Sequence, residues 1–153
     1  MSAPTNAFRA ECDGEGWPEG VRGARLLERP PGTKLVSAVW ELDPGAESPQ
    51  YHLHHATEEL LLVVAGTATL KTPEGERMLE PGEVVHFPLG APGAHKVLNR
   101  SDAPVRYLMI AAHSRLDVIE YLDTNEVVVY SHEPSILAED PIFFRHELEP
   151  RKE

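Results

Sequence analysis

Tyr51–Gly66 reads YHLHHATEELLLVVAG. It places His52 and His54 two apart, follows them with Glu58 and Glu59, and then runs into the apolar stretch Leu60–Val64. Histidines at that spacing point the same way only on extended backbone, because strand side chains alternate with period two. On a helix, residues two apart diverge, so His-x-His is poor chelating geometry there. Two imidazoles on one strand face, with a carboxylate close by, make half of a candidate metal site. His55-Ala56-Thr57 must bend the chain, since an unbroken strand would carry Glu59 to the face opposite His54.

Outward from this stretch, the chain reads as short strands divided by turns. Leu60–Val64 is apolar on both faces and is expected to be a central strand buried on both sides. Upstream, Lys34–Leu42 (KLVSAVWEL) alternates, with Leu35, Ser37, Val39 and Glu41 on one face and Val36, Ala38, Trp40 and Leu42 on the other. A short strand over Val21–Leu27 precedes the Pro30-Pro31-Gly32 break, and Asp43-Pro44-Gly45 is a turn signal. Downstream, Thr67–Lys71 and Glu76–Leu79 flank the turn Thr72-Pro73-Glu74-Gly75 as a hairpin. Pro81-Gly82 leads into Glu83–Phe87. The Gly/Pro-rich connector Pro88–Gly93 leads into Ala94–Leu98, and the turn Asn99–Pro104 into the strand Val105–Ala111. Ser114–Leu122 fits either a helix capped by Ser114 or a further strand. Asn125–Tyr130 reads as a strand, and the tail from Pro134 carries Ile136, Leu137, Ile142, Phe143 and Phe144, expected to fold back on the body or to cover a partner subunit. Strands at this spacing predict an all-β sandwich or barrel.

The chain has 153 residues, enough for one domain with a single core. Its 14 Pro and 11 Gly are spread throughout and favour turns over long helices. A net charge of −11 sets nucleic acid and anionic membrane surfaces aside as partners. No run approaches the roughly 18 apolar residues of a membrane helix, and the first residues lack the basic start and apolar centre of a secretory signal. A cytoplasmic location is the expectation. Cys12 is the lone cysteine, so no internal disulfide and no thiolate zinc site can form; it is expected in a lightly packed N-terminal arm over residues 1–20.

A second half of the site must come from His86, His95, His113, His132 or His146. His95 is best placed, opening a strand just after the Gly/Pro-rich connector, where backbone can approach a partner closely. Gly45, His52, His54, Glu59 and Gly66, then Gly82, Pro88, Gly90, His95 and Asn99, resemble the two signature motifs of the cupin superfamily. The Gly45–His52 gap is one residue longer than usual, and the connector before His95 two residues longer. The resemblance spans about 33–112, leaving the arm and an extension over 113–153 in one domain.

The resemblance implies a jelly-roll barrel (double-stranded β-helix). It also implies a divalent metal held by His52, His54, Glu59 and His95, with further positions open to water or substrate. Alternation alone does not separate Glu58 from Glu59; the family register selects Glu59 and leaves Glu58 as a rim charge. Imidazole plus carboxylate suits iron, manganese, zinc, nickel or copper. A homodimer is expected, because related barrels commonly pair.

Around this set, His55 is expected to be exposed, and His86 to be a structural histidine or a support for a ligand. His113, His132 and His146 read as surface residues. Trp40, Tyr51, Phe87, Tyr107 and Met109 are candidates for the barrel lining or the core, and Asn99 for a turn. Arg106 is expected on a solvated position, with anchoring of an anionic substrate as the alternative. No general base stands apart from the ligands. The functional expectation is a metal-dependent enzyme of dioxygenase, isomerase or decarboxylase type acting on a small polar organic molecule. The alternative is a non-catalytic protein that binds or senses a small ligand, such as a carbohydrate.

Overall fold

The computed structural model describes residues 4–28, 32–134 and 141–149, with 132–134 and 141 described by backbone alone. Strands β1 (Val21–Arg25), β2 (Leu35–Leu42), β3 (His52–His54), β4 (Glu58–Ala65), β5 (Ala68–Thr72) and β6 (Gly75–Leu79) are followed by β7 (Val84–Phe87) and a single 3-10 turn, Ala91–Gly93. Then come β8 (Lys96–Leu98), β9 (Val105–Ala112), β10 (Leu116–Tyr121), β11 (Glu126–Pro134) and β12 (Pro141–Glu147). The fold is all-β and antiparallel, a jelly-roll barrel.

One layer has the strand order β1-β2-β9-β4-β7. The other is built from β12-β11-β10-β3 and β6-β5-β8. These two parts meet where His52 and His95 form an antiparallel bridge, with His52 N donating to His95 O at 3.1 Å and His95 N to His52 O at 2.9 Å. Two of the proposed ligands are therefore bonded neighbours through their backbones.

The core fills one end of the barrel with Leu42, Leu61, Val63, Leu70, Leu79, Val97 and Val105, each 2% exposed or less. Period-two alternation then sets what comes next on each inward face. Moving two residues along from Leu42, Leu61 and Tyr107 reaches Trp40, Glu59 and Met109, which line a cleft, Trp40 and Met109 with one side still packed on the core. The apolar packing stops where the chemistry starts.

The remaining elements depart from the sequence expectations in specific ways. In β4, Leu61 and Val63 are buried, whereas Leu60, Leu62 and Val64 are only half-buried, because a two-layered barrel covers just one face of each sheet. Of the two readings left open for Ser114–Leu122, the strand is the one found, as β10. Ile142, Phe143 and Phe144 lie on β12 and stay 47%, 63% and 54% exposed, so they do not fold back on the barrel. Ile136, Leu137 and the Pro30-Pro31 break fall outside the described residues.

The arm crosses the outer face of the first sheet. Arg106 Nε donates to Ala7 O at 2.8 Å, and its guanidinium also bonds Ala10 O and Glu41. Arg106 is thus neither solvated nor an anchor inside the cleft; it clamps the arm, and Val39 beneath is fully buried. Cys12 is partly buried, with Sγ 3.9 Å from Val39 O. Asp13 pairs with Gly23 through both backbone bonds, 2.9 and 2.8 Å, which brings the turn holding Trp17 to the cleft mouth. No described helix is long and apolar enough to cross a membrane.

Candidate metal centre

His52 and His54 occupy the two inward positions of the three-residue strand β3, with buried Leu53 between them pointing away. The bend at residues 55–57 resets the alternation, so Glu59 enters from the opposite sheet. His95 is delivered by a close backbone approach: a Cβ on Gly93 would sit 1.8 Å from Pro88 O, so only glycine fits there. Gly93 O then accepts a hydrogen bond from His95 Nδ1 at 2.9 Å, and Phe87 stacks on the His95 ring at 3.7 Å and 7°.

The four side chains converge on one oxygen. Glu59 Oε2 lies 3.8 Å from His52 Nε2, 3.5 Å from His54 Nε2 and 3.4 Å from His95 Nε2. The ligand atoms of His52, His54 and Glu59 all fall within 4.8 Å of one another; His95 joins them through its contact with Glu59.

Which nitrogens carry protons follows from their other partners. His52 Nδ1 faces Gln50 O at 3.1 Å, and His95 Nδ1 faces Gly93 O. A carbonyl oxygen only accepts, so in both rings Nδ1 holds the proton and Nε2 presents a bare lone pair. His54 Nδ1 lies 2.6 Å from Asp117 Oδ2, which places its proton there as well. Three imidazole Nε2 atoms and a carboxylate oxygen thus face one another, and the buried atoms Glu59 Oε2 and His95 Nε2 have no hydrogen-bond partner. Such a cluster could hold a cation, and the donor set of three imidazoles and one carboxylate fits a divalent transition metal.

The charge states agree with bare Nε2 atoms at His52 and His95, whereas His54 and Glu59 are shifted toward holding a proton. Burial, then the neighbouring His54, lowers His52 to about 4; burial and His52 lower His95 to about 3. Burial works against charge on His54 too, but the bond to Asp117 and the Glu59 carboxylate outweigh it and raise its proton affinity. Burial raises Glu59, only partly offset by His54. Burial would raise Asp117, but the His54 bond and the Ala56 amide among others overcome it and hold it at about 2.

Sequence reasoning missed two residues of the site. Asp117, 1% exposed, orients His54 and also accepts from Ala56 N at 2.8 Å, bracing the bend. Trp17, in the arm, packs edge-on against Trp40 with ring centroids 4.6 Å apart. The alternation in LDVIEY could have pointed to a strand with Asp117 inward; nothing local to Trp17 could have placed it. The cleft has a volume of about 250 Å³, and Trp40, Tyr107 and Met109 line it. Tyr51 does not: its ring lies 4.4 Å from Lys71 Nζ.

Other candidates fall outside. His86 and Glu58 form an exposed pair at 3.2 Å, so His86 is neither buried nor a support for a ligand. His55 is exposed and pairs with Glu120 at 2.7 Å. His113 is half-buried and lines a neighbouring hollow, His146 is exposed beside Phe144, and the His132 side chain lies outside the described residues. Asn99 takes the expected turn role: buried, it donates to Leu42 O and Ala103 O and accepts from Ser101.

The sequence profile described as the Cupin domain matches residues 38–111. With the jelly roll and its structural relatives, this establishes that the chain carries a cupin domain. A sugar phosphate isomerase of the cupin superfamily from Silicibacter pomeroyi is 26% identical, with a TM-score of 0.70 over 88% of this chain and 82% of that one. A putative sugar phosphate isomerase from Acidithiobacillus ferrooxidans (24% identity, TM-score 0.65, 79% and 74% covered) shares the fold. So does a polyketide cyclase from Streptomyces resistomycificus (22%, 0.59, 72% and 79%). No curated protein matches the chain.

Proposed function

We propose that the chain is a metal-dependent enzyme acting on a small polar organic molecule, with the ion held by His52, His54, Glu59 and His95. The observation that carries this is the convergence of three imidazole Nε2 atoms on Glu59 Oε2, which has no hydrogen-bond partner. Bound there, the ion would supply Lewis-acid polarisation of substrate oxygens. The chain's own residues do the rest. Asp117 fixes the His54 tautomer, Phe87 and Gly93 fix the His95 ring, and the largely apolar cleft walls present a low-polarity surface beside the reacting centre. Isomerase chemistry agrees with the name of the Silicibacter pomeroyi relative; dioxygenase and decarboxylase chemistry suit the same donor set.

The test is substrate-dependent turnover, screened against small metabolites, in wild type and His52→Ala. Turnover lost in the variant supports the enzyme. Full activity in metal-stripped protein refutes it. A second reading, a non-catalytic protein holding a small ligand, is favoured by one feature: among the described lining residues, the titratable groups outside the ligand set are Tyr107 and Tyr121, both raised by burial first. A ligand that raises Tm without being converted would support that reading. A cytoplasmic homodimer is the expected setting, with the exposed Ile142, Phe143 and Phe144 as surface for pairing; light scattering that gives a monomer overturns the dimer.

A further inference from the structure

The walls of the cleft say what kind of molecule it takes. The chain contains two tryptophans, Trp17 and Trp40, and both line it. Their rings stand at 86° to each other and form an aromatic corner on the side of the first sheet. Trp40 is seated there because β1 carries glycine opposite it: a Cβ on Gly23 would lie 2.8 Å from the indole. Across the cleft, Tyr121 and Ile119 come from β10, which its register with β3 sets beside His52 and His54. These mostly apolar side chains and the ligand set line one cleft.

Charge and size narrow the occupant further. Apart from Glu59 and the three histidines, no described residue lining the cleft is charged; Ser48, Gln50, two tyrosine hydroxyls and the two indole N–H groups are its other polar side-chain groups. A phosphate monoester carries a charge of about −1.5 to −2 at neutral pH and wants Arg or Lys. Arg25 lies in a separate hollow of about 220 Å³ that shares the Trp40, Glu59 and Met109 wall, and it is exposed to solvent. As for size, a cavity of about 150 Å³ holds a benzene ring, so about 250 Å³ accommodates one ring with a few substituents.

Building on the metal reading above, we propose that the site takes a small uncharged one-ring molecule, aromatic or enolic, with adjacent oxygens for the metal and its ring held in the corner between Trp17 and Trp40, face to one indole and edge to the other, and that it discriminates against phosphorylated sugars. Trp17 is then a specificity-determining residue supplied by the arm, which Arg106 and the Asp13–Gly23 pairing hold in place. The preference departs from what the name of the Silicibacter pomeroyi relative would imply.

The experiment uses the full chain loaded with Zn(II), with uptake measured first on every protein, and titrates catechol and glucose 6-phosphate by calorimetry. Since both tryptophans line the cleft, quenching of intrinsic fluorescence gives a parallel readout. Catechol is expected to bind at least tenfold more tightly than glucose 6-phosphate, to lose at least tenfold in Trp17→Ala, and to recover most of that in Trp17→Phe. Glucose 6-phosphate binding as tightly as catechol, or catechol binding unchanged in Trp17→Ala, overturns the proposal while leaving the metal site standing. A chain that takes up no Zn(II) overturns the metal reading, and this inference with it.

Discussion

His54 Nδ1 and Asp117 Oδ2 lie 2.6 Å apart, although 63 residues separate them in the chain. The pairing of β10 with β3 makes the contact, with Ile119 opposite His54. A buried carboxylate behind a ligating imidazole fixes its tautomer and raises its basicity. Asp117→Asn is expected to weaken metal binding about 10- to 100-fold, in the range usual for such outer partners. Competition against a calibrated chelator measures this, and unchanged affinity would remove Asp117 from the site.

Gly93 makes a separate claim about His95. With Pro88 O only 1.8 Å from where a Cβ would be, Gly93→Ala must move backbone, because the atoms it would meet all belong to the Pro88 main chain. Loss of several kcal/mol is expected, in the upper range for single substitutions. The fraction that still folds should have lost the His95 contribution. Chemical denaturation with metal titration checks both, and a near-neutral substitution would show the connector to be looser than described.

Protons compete with the metal for the same lone pairs, so affinity falls as pH drops through the pKa of any ligand. His52 and His95, at about 4 and 3, are already bare at pH 5.5, whereas His54 and Glu59 are raised. Uptake at pH 5.5 should therefore release at most about two protons per ion; three ordinary imidazoles alone, titrating near 6.5, would release close to three. Calorimetry in buffers of different ionisation enthalpy counts them. A count of three or more would mean that burial does not keep His52 and His95 neutral.

Glu58 serves as the contrast to its neighbour. It forms an exposed pair with His86 on the outer face, a type of contact worth about 0–1 kcal/mol. Glu58→Gln should leave metal content and stability nearly unchanged, while Glu59→Gln abolishes uptake. Equal effects from the two would mean the register of β4 has been misassigned.

Much of this was legible in the sequence, for physical reasons that also mark where legibility ended. Alternation in Lys34–Leu42 correctly separated the inward Trp40 from the outward Glu41, because a strand's period is a local property. The resemblance to cupin motifs brought His52, His54, Glu59 and His95 together before any coordinates did. What was missed depends on contacts between distant segments. Asp117 acquires its role only from the β10–β3 register, Trp17 only from the arm's backbone pairing at Asp13, and Arg106 only from carbonyls of residues 7 and 10. No local pattern encodes those pairings. His86 was misread because its strand, β7, lies at a sheet edge with that side chain facing water.

The most direct test is elemental analysis of untagged protein, followed by titration of the stripped chain with Zn(II). About one transition-metal ion per chain, lost in both His52→Ala and Glu59→Gln variants that remain folded, is the expected result. A chain that purifies without metal, binds no added Zn(II), and matches the stability of both variants would contradict the account.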